Sequence, residues 1–246
     1  MSHQAWHDIE GADPSILLIA DHASAFVPED IDLGIDRNLY DEHVALDKGV
    51  ETLGEQLCQT LSCRAVFAAQ SRLVVDLNRD EDDFLGLMPA VSDGYVIAGN
   101  TGLKAEEKEA RLARFYYPYH QHIAEVIKRQ RPTLIVSLHS FTPCLKSDLH
   151  CYRPWQVGLL YNNDDRATQI AIPLLKQAQL VVGENEPYSG RILNTTMNRH
   201  AEKNRIPYLL LEIRQDMLTE PKEIGRWCQI LENVIKETVL SLKNRK

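Results

Sequence analysis

Short apolar runs alternate with longer stretches of helical periodicity along most of the chain. Residues 16–20, 64–69, 73–77, 133–138, 157–161, 180–182 and 207–211 read as strands, each bounded by charged or turn-forming residues. Between them, residues 36–61 place Leu39, His43, Leu46, Val50, Leu53, Leu57 and Leu61 near helical spacing. Residues 104–130, 164–178 and 221–242 carry similar patterns, with Asp164 and Asp165 in capping position. Pro118 is the point at which the first of these would kink. Residues 80–100 are polar, contain Met88-Pro89 and Asp93-Gly94, and read as a long surface loop of the kind that often carries function. Alternation of this type predicts an α/β fold of three layers, α/β/α, around a central mixed, largely parallel sheet. No linker-like tract or internal repeat divides the chain, so a single domain over residues 1–246 is expected.

Three of the apolar runs end in residues that bind metals or move protons. They read Ile16-Leu-Leu-Ile-Ala-Asp21-His22, Leu134-Ile-Val-Ser-Leu-His139 and Tyr208-Leu-Leu-Leu-Glu212-Ile-Arg214. Ligands of open α/β sheets bind beyond the carboxyl ends of the strands, so these groups should meet at one rim. Two imidazoles and a nearby base form the composition of a catalytic zinc site, which keeps one position open. His22 and His139 are the first two expected ligands. The third should be a carboxylate, with Asp21, Glu29 and Asp47 as candidates and Asp47, in Val44-Ala-Leu-Asp47-Lys-Gly49, preferred. Glu212 follows four apolar residues, and burial there would raise its pKa toward that of a working general base.

A second polar cluster is Ser71-Arg72-Leu-Val-Val-Asp76-Leu-Asn78-Arg79. Arginine binds carboxylates bidentately, so Arg72 and Arg79 suit an acidic substrate, with Arg191 and Arg214 as further positive groups. The structural alternative is an Arg72–Asp76 ion pair that only orients the segment. Tyr188, in Glu186-Pro-Tyr-Ser-Gly190, could close over a ligand, and His43 and His200 could stand behind the site. His120 and His122, two apart on a helix, face away from each other.

The net charge of −8 argues against nucleic acid or an anionic membrane as a partner, though not against a small anion at a locally basic site. No apolar run reaches the length of a membrane span. Met1-Ser-His-Gln-Ala-Trp-His7 lacks the pattern of a signal peptide, which makes a cytoplasmic location the expectation. The five cysteines have no Cys-x-x-Cys spacing and are expected to be reduced thiols.

Taken together, Asp21-His22-Ala-Ser24, Asp47, residues 71–79, Leu138-His139-Ser-Phe-Thr-Pro143, Asn185-Glu-Pro-Tyr-Ser-Gly190 and Leu211-Glu212-Ile-Arg214-Gln-Asp216 resemble the N-formylglutamate amidohydrolase family. That family is similar in fold to zinc exopeptidases of the carboxypeptidase type. The resemblance implies one zinc ion and hydrolysis of N-formyl-L-glutamate to glutamate and formate. It implies His139 as a ligand, Glu212 as the catalytic glutamate, Arg72 as a carbonyl-polarising group and Asn78-Arg79 as a carboxylate-binding pair. The exopeptidases draw a histidine and a glutamate ligand from an H-x-x-E motif. Here His22 is followed by Ala23, Ser24 and Ala25, which leaves the third ligand to be found elsewhere. Two rival readings remain: a zinc peptidase or deacylase acting on a larger amide, and a binding protein that keeps the pocket without catalysis.

Overall fold

The computed structural model describes residues 4–244; the start of the N-terminal segment, including His3, lies outside them. Seven strands form one sheet: β1 (Trp6–Ile9), β2 (Asp13–Ala20), β3 (Cys63–Ala68), β6 (Leu134–Phe141), β7 (Val157–Leu160), β8 (Val182–Glu184) and β9 (Tyr208–Arg214). Their spatial order is β1-β3-β2-β6-β9-β7-β8. The pairings are parallel except β1 with β3 and β7 with β9, so the sheet is mixed and mostly parallel, as the alternation predicts. A separate two-stranded hairpin pairs β4 (Val91–Ser92) with β5 (Tyr95–Val96).

The described residues form six α-helices: α1 (Val50–Leu61), α2 (Ala105–Arg111), α3 (Tyr117–Gln130), α4 (Thr168–Gln177), α5 (Thr195–His200) and α6 (Pro221–Asn244). The strand period of two explains why both faces must be covered. Ile16, Leu18 and Ala20 pack with Leu53 and Leu57 of α1, Leu175 of α4 and Trp227 and Leu231 of α6. Leu17 and Ile19 point the other way, onto Phe115, Tyr119 and Ile123. A strand buried on both faces reads as a continuous apolar run, which is the form of the β2, β6 and β9 segments. None of the described helices is long and apolar enough to cross a membrane.

Several expectations about elements are corrected. Residues 36–61 are not one helix: a 3₁₀ turn spans Arg37–Asp41 and α1 begins only at Val50. Gly49 breaks the pattern with a φ of 77°, and the Asp47 amide donates to the His22 carbonyl at 2.9 Å instead of to a helical partner. Residues 73–77 are buried but form no strand. Their backbone groups are met by side chains, with Ser71 Oγ accepting from the Leu73 amide, Asn100 Nδ2 donating to the Leu73 carbonyl and Arg111 Nη1 to that of Val74. Pro118 does not interrupt the helical run. A π turn at Leu112–Tyr116, with the Tyr117 amide reaching back to the Leu112 carbonyl, widens the helix just where the proline ring would strike it. The short edge strand β1, the helix α5 and the β4–β5 hairpin within residues 80–100 carry weak periodicity and are absent from the sequence expectation.

Gly49 holds a left-handed conformation, and a methyl group on it would collide with Leu218. Gly49→Ala should therefore lower the unfolding free energy by about 1–3 kcal/mol, read from urea denaturation.

Candidate active site

The sheet order places β2, β6 and β9 side by side, and their carboxyl ends carry His22, His139 and Glu212. His139 and Glu212 are direct cross-strand neighbours in the β6–β9 register. Asp47 enters from the segment before α1, anchored by its amide bond to the His22 carbonyl.

His22, Asp47 and His139 are all buried and offer ligand atoms that lie within 4.8 Å of one another. Asp47 Oδ2 is 2.9 Å from His139 Nδ1 and 3.4 Å from His22 Nδ1, and it accepts the Ser140 amide at 3.2 Å. On the far side of each ring, Nε2 faces a carboxylate. His22 Nε2 donates to Asp76 Oδ1 at 2.7 Å, and His139 Nε2 lies 3.1 Å from Ser137 Oγ and 3.5 Å from Asp21 Oδ2. Asp21 is itself held by the Tyr119 hydroxyl at 2.9 Å. A histidine that gives its Nε2 proton to a carboxylate turns a lone pair on Nδ1 toward the metal. Two such lone pairs and a carboxylate oxygen facing one another repel unless a cation stands between them. His22 Nδ1 is buried and has no hydrogen-bond partner. The residues present thus fit a cation held by three groups.

The electrostatics agree. Burial alone would lower the pKa of both imidazoles, but Asp76 and Asp47 lift that of His22, and Asp21 and Asp47 lift that of His139. Burial would raise the carboxyls of Asp47 and Asp76, yet the adjacent His22 and His139 hold Asp47 below its ordinary range, and Arg72 and His22 do the same for Asp76. Positive charge is favoured at this point whether a proton or a metal supplies it.

Arg72 spans the two acids. Its Nη2 donates to Asp76 Oδ2 at 2.7 Å and its Nη1 to Asp47 Oδ1 at 3.3 Å. The Arg72–Asp76 ion pair is thus present, and it stands beside the three-residue centre. Arg79 donates to Asp83 at 3.2 Å, and the Asn78 side-chain oxygen Oδ1 accepts the Thr196 amide near the start of α5. Both side chains line a cavity of about 250 Å³ that also contains His22, Asp47, Arg72, His139 and Glu212. Val44, Phe141, Leu160, Leu193 and Leu210 supply apolar wall. Burial pushes the Glu212 carboxyl up to about 7, with the Asp47 charge adding to the rise and the His139, His22 and Arg72 charges opposing it.

Not every candidate reaches this cavity. Arg191 is exposed and does not line it. Arg214 is turned aside, donating to Asp216 at 2.8 Å and to the Tyr152 hydroxyl at 3.0 Å. Glu29 is exposed, and Asp21 faces the far nitrogen of His139. His200 stands with His120, 2.9 Å apart, and burial lowers the two to about 4 and about 3, so this neutral pair braces the Leu77 carbonyl. Cys144 and Cys151 are free thiols outside the cavity wall. Tyr188 does line it, its hydroxyl accepting from Arg153 at 2.9 Å.

Sequence reasoning missed the supporting role of Asp21 and Asp76 behind the two rings. The available signal was an acid next to His22 in the chain and another one turn from Arg72. His43, expected to stand behind the site, lines the cavity itself, with its Nε2 2.9 Å from Asp93. The Asp93-Gly94 pair read only as part of a surface loop and gave no hint that the Asp93 side chain folds inward.

The sequence model of the N-formylglutamate amidohydrolase family matches residues 15–219. A match over most of the chain makes the protein a hydrolase of amides. It belongs to the N-formylglutamate amidohydrolase family. A solved gene product from Agrobacterium tumefaciens is similar at 27% identity and a TM-score of 0.91, covering 98% of this chain and 97% of its own. The N-formylglutamate amidohydrolase of Ralstonia eutropha shares the fold at 18% identity and a TM-score of 0.69, with 98% of each chain covered. A bacteriophage poly-gamma-glutamate hydrolase shares it more distantly, at 10% identity and a TM-score of 0.52, covering 99% of this chain and 92% of its own. No curated protein sequence matches the chain.

Arg72 offsets two buried acids, so removing it leaves charge without a partner. Arg72→Met should destabilise the metal-free protein by roughly 3 kcal/mol, measured by chemical denaturation.

Proposed function

We propose that the protein is a zinc-dependent amidohydrolase of a small N-acyl amino acid, with N-formyl-L-glutamate as its first substrate. The observation that carries this reading is the convergence of His22 Nδ1, His139 Nδ1 and Asp47 Oδ2 beside the buried Glu212. His22, Asp47 and His139 would hold the ion. Bound there, zinc supplies Lewis-acid polarisation of the amide carbonyl and of a water nucleophile. Asp76 and Asp21 keep the two imidazoles neutral at Nδ1 and fixed in orientation.

Glu212 stands at the same rim as the three ligands without being one of them. Its carboxylate takes the proton of the attacking water and delivers it to the departing amine. Arg72 uses only part of its donor fork on Asp47 and Asp76, and its remaining N–H groups stabilise the oxyanion that develops on the former carbonyl oxygen. Arg79, assisted by Asn78, binds a substrate carboxylate. With Arg191 and Arg214 out of reach, Arg79 carries most of that recognition. The cavity, at about 250 Å³, is smaller than the roughly 300–1,000 Å³ of pockets for drug-sized ligands, which favours a single amino-acid derivative over a larger amide. A binding protein without catalysis would have no use for a buried carboxylate beside the metal ligands.

His22→Ala, Asp47→Ala and His139→Ala should each lose zinc by elemental analysis, while Glu212→Gln keeps it and loses about 10²–10⁴-fold in kcat on N-formyl-L-glutamate. Zinc loss from Glu212→Gln would make it a ligand, and full zinc retention in the other three would remove the site. Arg79→Ala should raise KM for N-formyl-L-glutamate at least about tenfold, the loss expected of one charge-assisted hydrogen bond. Its effect on an N-formyl amino-acid amide without carboxylates should be small, and equal effects on the two would assign Arg79 a structural role.

A further inference from the structure

The outer end of the cavity is built from three separate segments that meet at one carboxylate. Asp93 and Gly94, with φ of 44° and 78°, form the two-residue turn of the β4–β5 hairpin. Left-handed values at both positions are those of a type I′ turn, for which Asp-Gly is a favoured pair. The side chain at such a tip normally points to solvent. That of Asp93 is only 4% exposed and is turned inward. Its Oδ1 accepts the Ser147 amide at 2.8 Å and the Ser147 hydroxyl at 2.6 Å. Its Oδ2 accepts the Lys146 amide at 2.8 Å and lies 2.9 Å from His43 Nε2.

These bonds join the hairpin, the segment before Asp47 and the loop that follows His139. His43, Ser92, Asp93, Thr142, Leu145 and Ser147 all line the cavity, so the clasp and the cavity wall are the same structure. The hairpin is anchored at its base, where Asn100 Nδ2 donates to the Pro89 carbonyl and Ile97 is buried, but its tip carries little core. Strands of two residues are marginal by themselves. Val91 and Val96 of the hairpin and Leu149 of the loop are exposed and contribute no core. The Lys146 ammonium lies 3.6 Å from the centre of the Tyr95 ring, a further contact between hairpin and loop.

We propose that Asp93 is a specificity-determining residue, which clasps the hairpin to the loop after His139 and thereby limits the length of the substrate. The inference rests on the amidohydrolase reading. A carboxylate with four donors fixes both segments at once, and an ordinary loop contact would not. Loss of the clasp lets the wall swing outward and turns a closed pocket into an open groove, leaving the zinc ligands and Glu212 in place.

The test compares the zinc-loaded wild type with Asp93→Ala and the milder Asp93→Asn on two series. One lengthens the acyl group from N-formyl- to N-hexanoyl-L-glutamate; the other extends N-formyl-L-glutamate by one residue through its α-carboxyl group. Trypsin cleavage after Lys146 is followed in parallel, because it reports the clasp independently of turnover. Asp93→Ala should speed that cleavage about tenfold and shift kcat/KM at least about tenfold toward the longer member of one series, with Asp93→Asn intermediate. Unchanged cleavage in folded Asp93→Ala or Asp93→Asn overturns the clasp. Faster cleavage with unchanged selectivity in both series overturns the role in specificity. If no enzyme turns over any of these compounds, the amidohydrolase substrate reading fails and the specificity role falls with it, while faster cleavage still upholds the clasp.

Discussion

The Asp47 carboxylate is the constraint on which the rest of the site depends. One of its oxygens faces both imidazoles and the Ser140 amide, and the other takes Arg72. Its backbone amide is tied to the His22 carbonyl. A single residue outside the sheet thus links the ends of β2 and β6 with the 71–79 segment. The arrangement needs the chain to leave helical geometry before α1, and Gly49 provides the left-handed residue that allows it. Were residues 36–61 one continuous helix, the Asp47 amide would be spent on a helical carbonyl and would not be available to fasten Asp47 to the end of β2.

Around that carboxylate the buried charges are arranged in layers. Asp76 and Asp21 stand behind the two rings, Arg72 spans Asp47 and Asp76, and Tyr119 satisfies one oxygen of Asp21. Buried ionic groups are costly when left alone and tolerable only when each has a partner. Here the partners leave two atoms of the network without a hydrogen bond, one of them Asp21 Oδ2, 3.5 Å from His139 Nε2. His22 Nδ1, at the centre, remains without a hydrogen bond. The surrounding network fixes the orientation of the groups that face this point, as expected of a preorganised site.

The strand ends were legible in the sequence because β2, β6 and β9 are buried on both faces and end sharply in polar residues. The rule for open sheets then placed His22, His139 and Glu212 together without any knowledge of strand order. Asp47 was harder to place, since its position follows from a turn whose controlling feature, the φ of Gly49, is one that periodicity cannot report. Residues 73–77 show the opposite failure. They are as apolar and buried as a strand, but side chains of Ser71, Asn100 and Arg111 meet their backbone groups in place of a ladder. The bonds from Asn100 and Arg111 come from 27 and 37 residues away and leave no local signature. Arg191 and Arg214 were credited for charge and proximity in sequence alone. The side chain of Arg214 is drawn off by Asp216 and Tyr152, which no one-dimensional pattern encodes.

The same electrostatic layering bears on how an acidic substrate could enter a cavity lined by four acids. Arg72 offsets Asp76, four donors meet Asp93, and burial lifts Glu212 to about 7, so that its negative charge is partly suppressed near neutrality. What remains is Asp47 facing two imidazoles. A divalent cation at that point, as proposed, would turn the local charge from negative to positive, and Arg79 at the wall would add a second positive centre. Binding of a substrate carboxylate and polarisation of its amide would then depend on the same ion. In the proposed arrangement the many acids would serve to place and orient cations, and the field met by a substrate would be the excess of those cations over the acids that hold them.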